Sequence, residues 1–229
     1  MRWADIDMLH HVNNVTYVEY AAEALALLVG EDAVRADPPG EVTVTFLKPI
    51  LLSHQPIVVS TVLDGDTLTQ EIRSGDDSDP AARIVSRWGS YEGVPLPDGA
   101  EGPIDVRVRV GDSAGDGLVT VPKMFELCQE SRIRLISQRL NDDAFGRFVV
   151  GTVTVRVHGP VTWRVQPYQS HGWLGRFGEG SFTIHTVMTD RGRPLLSGTS
   201  VLVGFDLDTQ RSRRFTDEER AAMADLLVD

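Results

Sequence analysis

The sequence predicts an α+β protein built from two successive copies of one unit, a long helix followed by several antiparallel strands. Three observations carry that expectation. Apolar residues recur at three- and four-residue steps from Val15 to about Val29, the mark of an amphipathic helix, and Thr-, Val- and Ile-rich segments follow it. The same succession returns after a Pro- and Gly-rich linker, Glu92 to Gly102. At a constant offset of 107 residues, Arg109-Val110-Gly111-Asp112 lies over Arg2-Trp3-Ala4-Asp5, and Met124 to Glu130 lies over Tyr17 to Glu23. A period near 110 residues is what a tandem repeat produces.

Taken in order, the first helix has Asn13 or Asn14 as its cap, since either side chain accepts from an orphan N–H one turn in. Asp37-Pro38-Pro39-Gly40 ends that region. Strands are expected at Val42 to Ile50, Pro56 to Leu63, Thr67 to Arg73 and Arg83 to Tyr91, with Asp64-Gly65-Asp66 as a hairpin turn. In the second unit Ile104 to Val110 supplies a strand before the helix, for which the first unit has almost no room, leaving open an upstream extension of the natural chain. Thr120 and Pro122 start the second helix, which ends near Arg139. Strands are then expected at Val149 to His158, Val161 to Gln166, Ser181 to Met188 and Leu195 to Phe205. Thr216-Asp217-Glu218-Glu219 is a capping-box pattern that opens a short C-terminal helix from Arg220 to Val228. The division expected is 1–93 and 104–208 for the repeats, 94–103 for the linker and 209–229 for the C-terminal helix.

Composition narrows the function. A hydrophobic share of 41% and a charged share of 24% over 229 residues are those of an ordinary globular chain. The net charge of -11 argues against nucleic acid as partner. That charge lies wholly in residues 1–103, with 6 Lys/Arg against 17 Asp/Glu, whereas residues 104–229 hold 16 of each. A basic patch for an anionic ligand is therefore expected from the second half. Apolar runs fall far short of the roughly 20 residues that span a bilayer, so no membrane partner is expected. No basic segment precedes an apolar one at the start, so no secretion signal is expected either. The single Cys128 excludes an internal disulfide, fits a reducing cytoplasm, and reads as a packed core thiol.

Chemistry concentrates in Asp5, Asp7, His10, His11, Asn13 and Asn14, just ahead of the first helix. At the 107 offset Asp7 meets Ala114, His11 meets Leu118, and Asn13-Asn14 meets Thr120-Val121. One copy thus keeps a polar constellation where the other has small or aliphatic residues. Capping alone does not require the excess, because the second helix starts without it. Asp5 persists as Asp112, and Glu19 and Glu23 persist as Glu126 and Glu130, which favours structural roles for all of them.

The stretch Arg2-Trp3-Ala4-Asp5-Ile6-Asp7 through His11-Val12-Asn13-Asn14-Val15-Thr16-Tyr17 resembles the signature of hotdog-fold acyl thioesterases, the 4-hydroxybenzoyl-CoA thioesterase-like superfamily. It is also similar to the block found in plant fatty acyl-ACP thioesterases. The resemblance implies a tandem double hotdog, each repeat a long central helix wrapped by a curved antiparallel sheet. This would be an intrachain pseudo-dimer, with any further homodimer left open, acting in lipid metabolism on acyl-CoA or acyl-carrier-protein thioesters. It implies Asp7, His11 and Asn14 as the catalytic group and Asn13, Val15 and Tyr17 as substrate-binding residues. Asp7 would serve as general base or as nucleophile, and His11 would orient water or hold substrate. Free N–H groups at a helix start would support the oxyanion. Glu19 is a reserve candidate.

Two positions depart from the family: His10 stands where glycine is usual, and Leu9 stands where the plant enzymes carry asparagine. No metal is expected, since adjacent histidines point apart and no Cys/His cluster accompanies them. No cofactor is expected, because no phosphate-binding glycine loop follows a strand. Arg211, Arg213, Arg214 and Lys123 are candidates for the phosphates of a CoA or carrier arm, with a solvated surface as the plainer reading. Tyr17, Tyr20, Trp163, Trp173 and Phe177 either line a channel or fill the core. A hotdog enoyl-CoA hydratase or dehydratase and a non-catalytic acyl-binding protein are the alternatives. The Asn pair after His11 fits the first of these poorly.

Overall fold

A computed structural model describes residues 1–7, 10–139, 148–206, 208–209, 211–224 and 227–228. The departure at Leu9 therefore lies outside the described residues. The first helix, α1, spans Asn14–Val29 and ends at Gly30, whose φ of 90° suits glycine and whose N–H reaches Ala26 O at 2.9 Å. A short α2 at Glu31–Ala36, with no buried residue, was not expected from the sequence. The strands β1 (Glu41–Phe46), β2 (Ile57–Asp64), β3 (Thr67–Ser74) and β4 (Ala82–Arg87) complete the first half. The β2–β3 hairpin turns through Gly65 and Asp66, with Asp64 opposite Thr67 and Gly65 at φ 60°. That geometry matches the turn read from Asp-Gly-Asp.

The second half has β5 at Glu101–Val106, α3 at Val121–Arg139, β6 at Phe148–Val157, β7 at Tyr168–Phe177, β8 at Ser181–Asp190 and β9 at Arg193–Asp206. The two-residue β10, Arg211–Ser212, pairs with β9, and α4 covers Asp217–Ala224. The capping box forms as read: Thr216 N–H donates to Glu219 Oε2 at 2.9 Å, and Glu219 N–H donates to Thr216 Oγ1 at 3.2 Å.

One strand expectation fails. Val161 to Gln166 is not a strand; only Thr162 bridges, to Leu118. The strand instead occupies Tyr168–Phe177, a glycine-containing segment to which the sequence assigned no element. Those glycines are needed for close approach. A Cβ at Gly172 would lie 2.9 Å from Leu135 of α3, and one at Gly175 would lie 2.6 Å from the His185 ring.

All strands join one antiparallel sheet in the order β2-β3-β4-β1-β6-β9-β8-β7-β5. Read outward from the β1–β6 seam, the two sides run β1, β4, β3, β2 and β6, β9, β8, β7. This is one topology repeated about a pseudo-twofold axis at the seam. Val42 and Val44 pair with Val155 and Val153 there, and Thr43 and Thr154 share a hydroxyl hydrogen bond of 2.9 Å. Helix α1 lies against β2, β3 and β4, α3 lies against β5 to β9, and the helices touch each other. Val15, Val18 and Ala21 of α1 share one buried cluster with Phe125 and Leu127 of α3 and with the seam valines. A second cluster of Leu135, Phe182, Ile184 and Leu202 is closed by Phe215 and Met223 from the C-terminal tail. Among the described residues, no helix is long and apolar enough to cross a membrane.

The turn into β1 is fixed by a close backbone contact. A Cβ at Gly40 would sit 2.2 Å from Gly89 O, and Gly40 O accepts the Val157 N–H at 2.9 Å. Gly40→Ala is expected to cost about 1–3 kcal/mol, as overpacking against backbone does. A lowered denaturation midpoint at constant m-value would register it, and an unchanged midpoint would contradict the contact.

Candidate active site

The motif folds into a compact loop ahead of α1. Residues Trp3–Asp5 form a 3-10 turn, and the Asp5 carboxylate, 8% exposed, accepts from the Arg2 N–H at 2.6 Å and the Tyr20 hydroxyl at 2.8 Å. In the second repeat Asp112 accepts from the Arg109 N–H at 2.7 Å in the same way. Asp5 O also accepts from the Asn13 N–H, as Asp112 O does from the Thr120 N–H. Asp5 is thus committed to holding the loop. Tyr20 is pushed well above the usual phenol range, first by burial and then by its bond to Asp5.

Asp7 and His11 close the loop against each other. Asp7 N–H donates to His11 O at 2.8 Å, His10 N–H donates to Asp7 O at 3.1 Å, and Asp7 Oδ1 accepts from the His11 N–H at 3.0 Å. The second repeat reproduces the two backbone bonds: Ala114 N–H to Leu118 O at 2.8 Å and Gly117 N–H to Ala114 O at 2.9 Å. Where Asp7 serves the His11 N–H, Asp116 Oδ1 serves the Leu118 N–H at 2.9 Å. Each loop thus closes on one carboxylate, supplied from position 7 in the first and from position 116 in the second.

Asn13 is the cap of α1, its side chain accepting from the Val15 N–H at 3.0 Å and its carbonyl from the Thr16 N–H at 3.0 Å. The Asn14 N–H is left as an orphan donor of the first turn, making no hydrogen bond among the described residues. Asn14 and His11 are half-buried. Val15 and Tyr17, named as substrate-binding, are core residues. The Tyr17 hydroxyl accepts from the Ile50 N–H at 3.1 Å, and burial, with the nearby charge of Asp7 in support, raises its pKa. The structure brings Asp7, His11, Asn13 and Asn14 together and sets Val15 and Tyr17 behind them.

The other candidates separate. Glu19 is exposed on α1. Lys123 pairs with Glu126, Arg213 forks onto Glu219, and Arg214 meets Glu179, while Arg211 is exposed. Trp173 is buried, Trp163 is exposed, and Phe177 stacks on Phe215. Cys128 is buried, and burial pushes its thiol up to about 12, which makes it inert at neutral pH. No cluster of three or more metal-ligating side chains occurs among the described residues.

Residues 1–80 match the sequence profile of the acyl-ACP thioesterase C-terminal domain. No curated protein matches the chain. Among solved structures, a protein from Lactobacillus plantarum assigned as an oleoyl thioesterase superimposes with a TM-score of 0.69 at 13% identity, covering 90% of this chain and 94% of its own. The 12:0-ACP thioesterase from Umbellularia californica gives 0.62 at 11% identity, with 93% and 92% covered. A thioesterase-superfamily protein from Jannaschia gives 0.53 at 22% identity, and 99% of its length falls on 59% of this chain. At such identities the structural likeness is one of fold. The profile match over the first third of the chain and the likeness in fold both point to the hotdog-type acyl thioesterases as the proteins this chain resembles.

His10 carries φ 60°, a left-handed conformation that costs a side chain about 1–2 kcal/mol. Its counterpart at the 107 offset is Gly117, at φ 81°. His10→Gly is expected to relieve that strain. After the greater freedom of glycine in the unfolded chain is deducted, a net gain of up to about 1 kcal/mol remains. Thermal or chemical unfolding of the variant measures it, and a loss of stability would mean that the histidine side chain makes compensating contacts.

Proposed function

We propose that the protein hydrolyses an acyl-CoA or acyl-carrier-protein thioester to a free acid and a thiol, with Asp7 as the reactive carboxylate. The observation that carries the reading is the pair of matched loops. Residues 7–11 and 114–118 share their backbone hydrogen bonds and each has one acid on the closing N–H, yet it stands at Asp7 in the first and at Asp116 in the second, and the first alone adds the histidine and the following Asn pair. His11 and Asn14 are side chains that the second loop manages without, and Asp7 stands beside them at a position where that loop has Ala114.

In this reading the thioester carbonyl oxygen points at the start of α1. The Asn14 N–H and the positive end of the helix dipole stabilise the oxyanion there. Asp7 takes a proton from water as the water attacks the carbonyl carbon, and collapse of the tetrahedral intermediate expels the thiolate. Alternatively Asp7 attacks the carbonyl carbon directly, the C–S bond breaks to release the thiolate as the mixed anhydride forms, and water then hydrolyses the anhydride to the free acid and the Asp7 carboxylate. His11 orients the water or the acyl group, and Asn13 keeps the helix start open by occupying the two inner N–H groups. The chain is read as two hotdog repeats, 1–93 and 104–208, with the second supplying the opposite wall of the site. The superposition of the whole Jannaschia protein on little more than half of this chain supports that division.

A thiol-release assay over a series of acyl chain lengths tests the proposal. Asp7→Asn still accepts the His11 N–H, so the loop should survive while kcat falls by about 10²–10⁴-fold. Hydrolysis at the parental rate in the folded variant would remove Asp7 from the mechanism. Absence of thiol release from every acyl-CoA and acyl-carrier-protein thioester would remove the function itself.

A further inference from the structure

Helix α3 buries an arginine for which the described residues supply no counter-charge. Arg132 is 5% exposed, and its Nη1 donates to Ser200 Oγ of β9 at 2.9 Å. It forms no ion pair among the described residues, unlike Arg73, Arg83, Arg87, Arg134, Arg156 and Arg213, each of which meets a carboxylate. Burial draws its pKa down to about 10, so it stays charged at neutral pH. Among the described residues no fully buried side-chain nitrogen lacks a partner, so the remaining guanidinium nitrogens face space that water can enter. Cys128, Thr186 and Ser200 surround this end of the helix as small, weakly polar groups. Among the described residues no carboxylate faces it, and an unpaired buried cation is strongly unfavourable.

The position relative to the motif is informative. The pseudo-twofold reverses α1 relative to α3, so the helices run antiparallel, and Lys123 lies near enough to Glu19 to feel its charge. Five residues further along each helix, about 7.5 Å, bring Cys128 level with Asn14. Arg132 lies about one turn beyond, level with the loop that carries Asp7 and His11. Its counterpart at the 107 offset is Leu25, which the same symmetry sets level with the loop that carries Ala114 and Leu118. The cation thus belongs with the polar loop, and a leucine stands in its place beside the apolar one.

We propose that Arg132 anchors a carboxylate subsite under α3, on the acyl side of the active site. The ligand carboxylate is either a second acid group at the far end of the acyl chain or the one that hydrolysis releases. The identity of this ligand rests on the thioesterase reading, but the existence of the subsite does not. Bidentate guanidinium–carboxylate bonding supplies the missing negative charge, and the Ser200 hydroxyl holds the fork in place.

Binding and kinetics test it separately. Adipate and hexanoate, added to the full chain, are expected to raise its Tm in a dose-dependent way. The shift should vanish in Arg132→Leu and persist in Asp7→Asn. Without ligand, Arg132→Leu should melt about 2–4 °C higher, because a leucine replaces an uncompensated charge. A Tm shift by adipate alone, joined to an adipyl-CoA over hexanoyl-CoA preference in kcat/KM of tenfold or more that Arg132→Leu erases, identifies the distal acid group. A shift by both acids, joined to product inhibition that the variant loses, identifies the released carboxylate. Arg132→Lys, which keeps the charge without the fork, should retain a weakened shift and guards against a folding artefact. Equal Tm responses of parent and Arg132→Leu to both acids would overturn the subsite, whether or not the protein cleaves thioesters.

Discussion

The structure depends on the backbone pairing of β1 with β6. Each half has a helix with one apolar face and a four-stranded sheet, and neither half can cover its innermost strand alone. Joining β1 to β6 removes two edges at once and fuses the sheets. The alternation of the seam strands then sends Val42, Val44, Val153 and Val155 to the helix side, into one cluster shared by both repeats. Because the pairing is antiparallel and the topologies match, the two helices must lie side by side in opposite directions. Each helix start is thereby brought against the middle of the other helix. A site built at either start has walls from both repeats.

That arrangement gives two equivalent helix starts, and the proposed chemistry is assigned to one of them. The loops before α1 and α3 are held by the same carbonyls and N–H groups, from the 3-10 turns with their inward aspartates, Asp5 and Asp112, to the tight bonds across 7–11 and 114–118. Backbone bonding makes the geometry independent of most side chains on it. The second repeat accordingly keeps the fold with Ala114 and Leu118 at the places of Asp7 and His11, its closing carboxylate coming from Asp116.

Much of this was legible because it is local. The span of α1, the cap at Asn13, the Gly65-Asp66 turn and the Thr216–Glu219 box each follow from a handful of neighbouring residues, and a fixed offset exposed the duplication. Strand β7 was not legible: Gly172 and Gly175 lower strand propensity, and their reason lies across space in Leu135 and His185. Tyr17 reads equally well as a channel lining or as core, and the register that puts its hydroxyl on Ile50 decides for core. Arg132 was invisible for a related reason. Arg132 and Arg134 are alike in sequence, and only the face of α3 separates the one turned to β9 from the one paired with Glu130.

Two costs in this fold concern the proposed site. His10 is held in a left-handed conformation where the second loop has Gly117, and Arg132 buries a charge where the first helix has Leu25. Both penalties lie at the level of the loop carrying Asp7, although one comes from the first repeat and the other from the second. Duplication gives each site its own control: the same backbone, two-fold related, is satisfied by a glycine and a leucine. Packing therefore cannot require the histidine or the arginine, and a chain selected for stability alone would lose both. Locally unfavourable residues persist where something outside the fold compensates them, and that is the part the proposed site gives to a bound substrate.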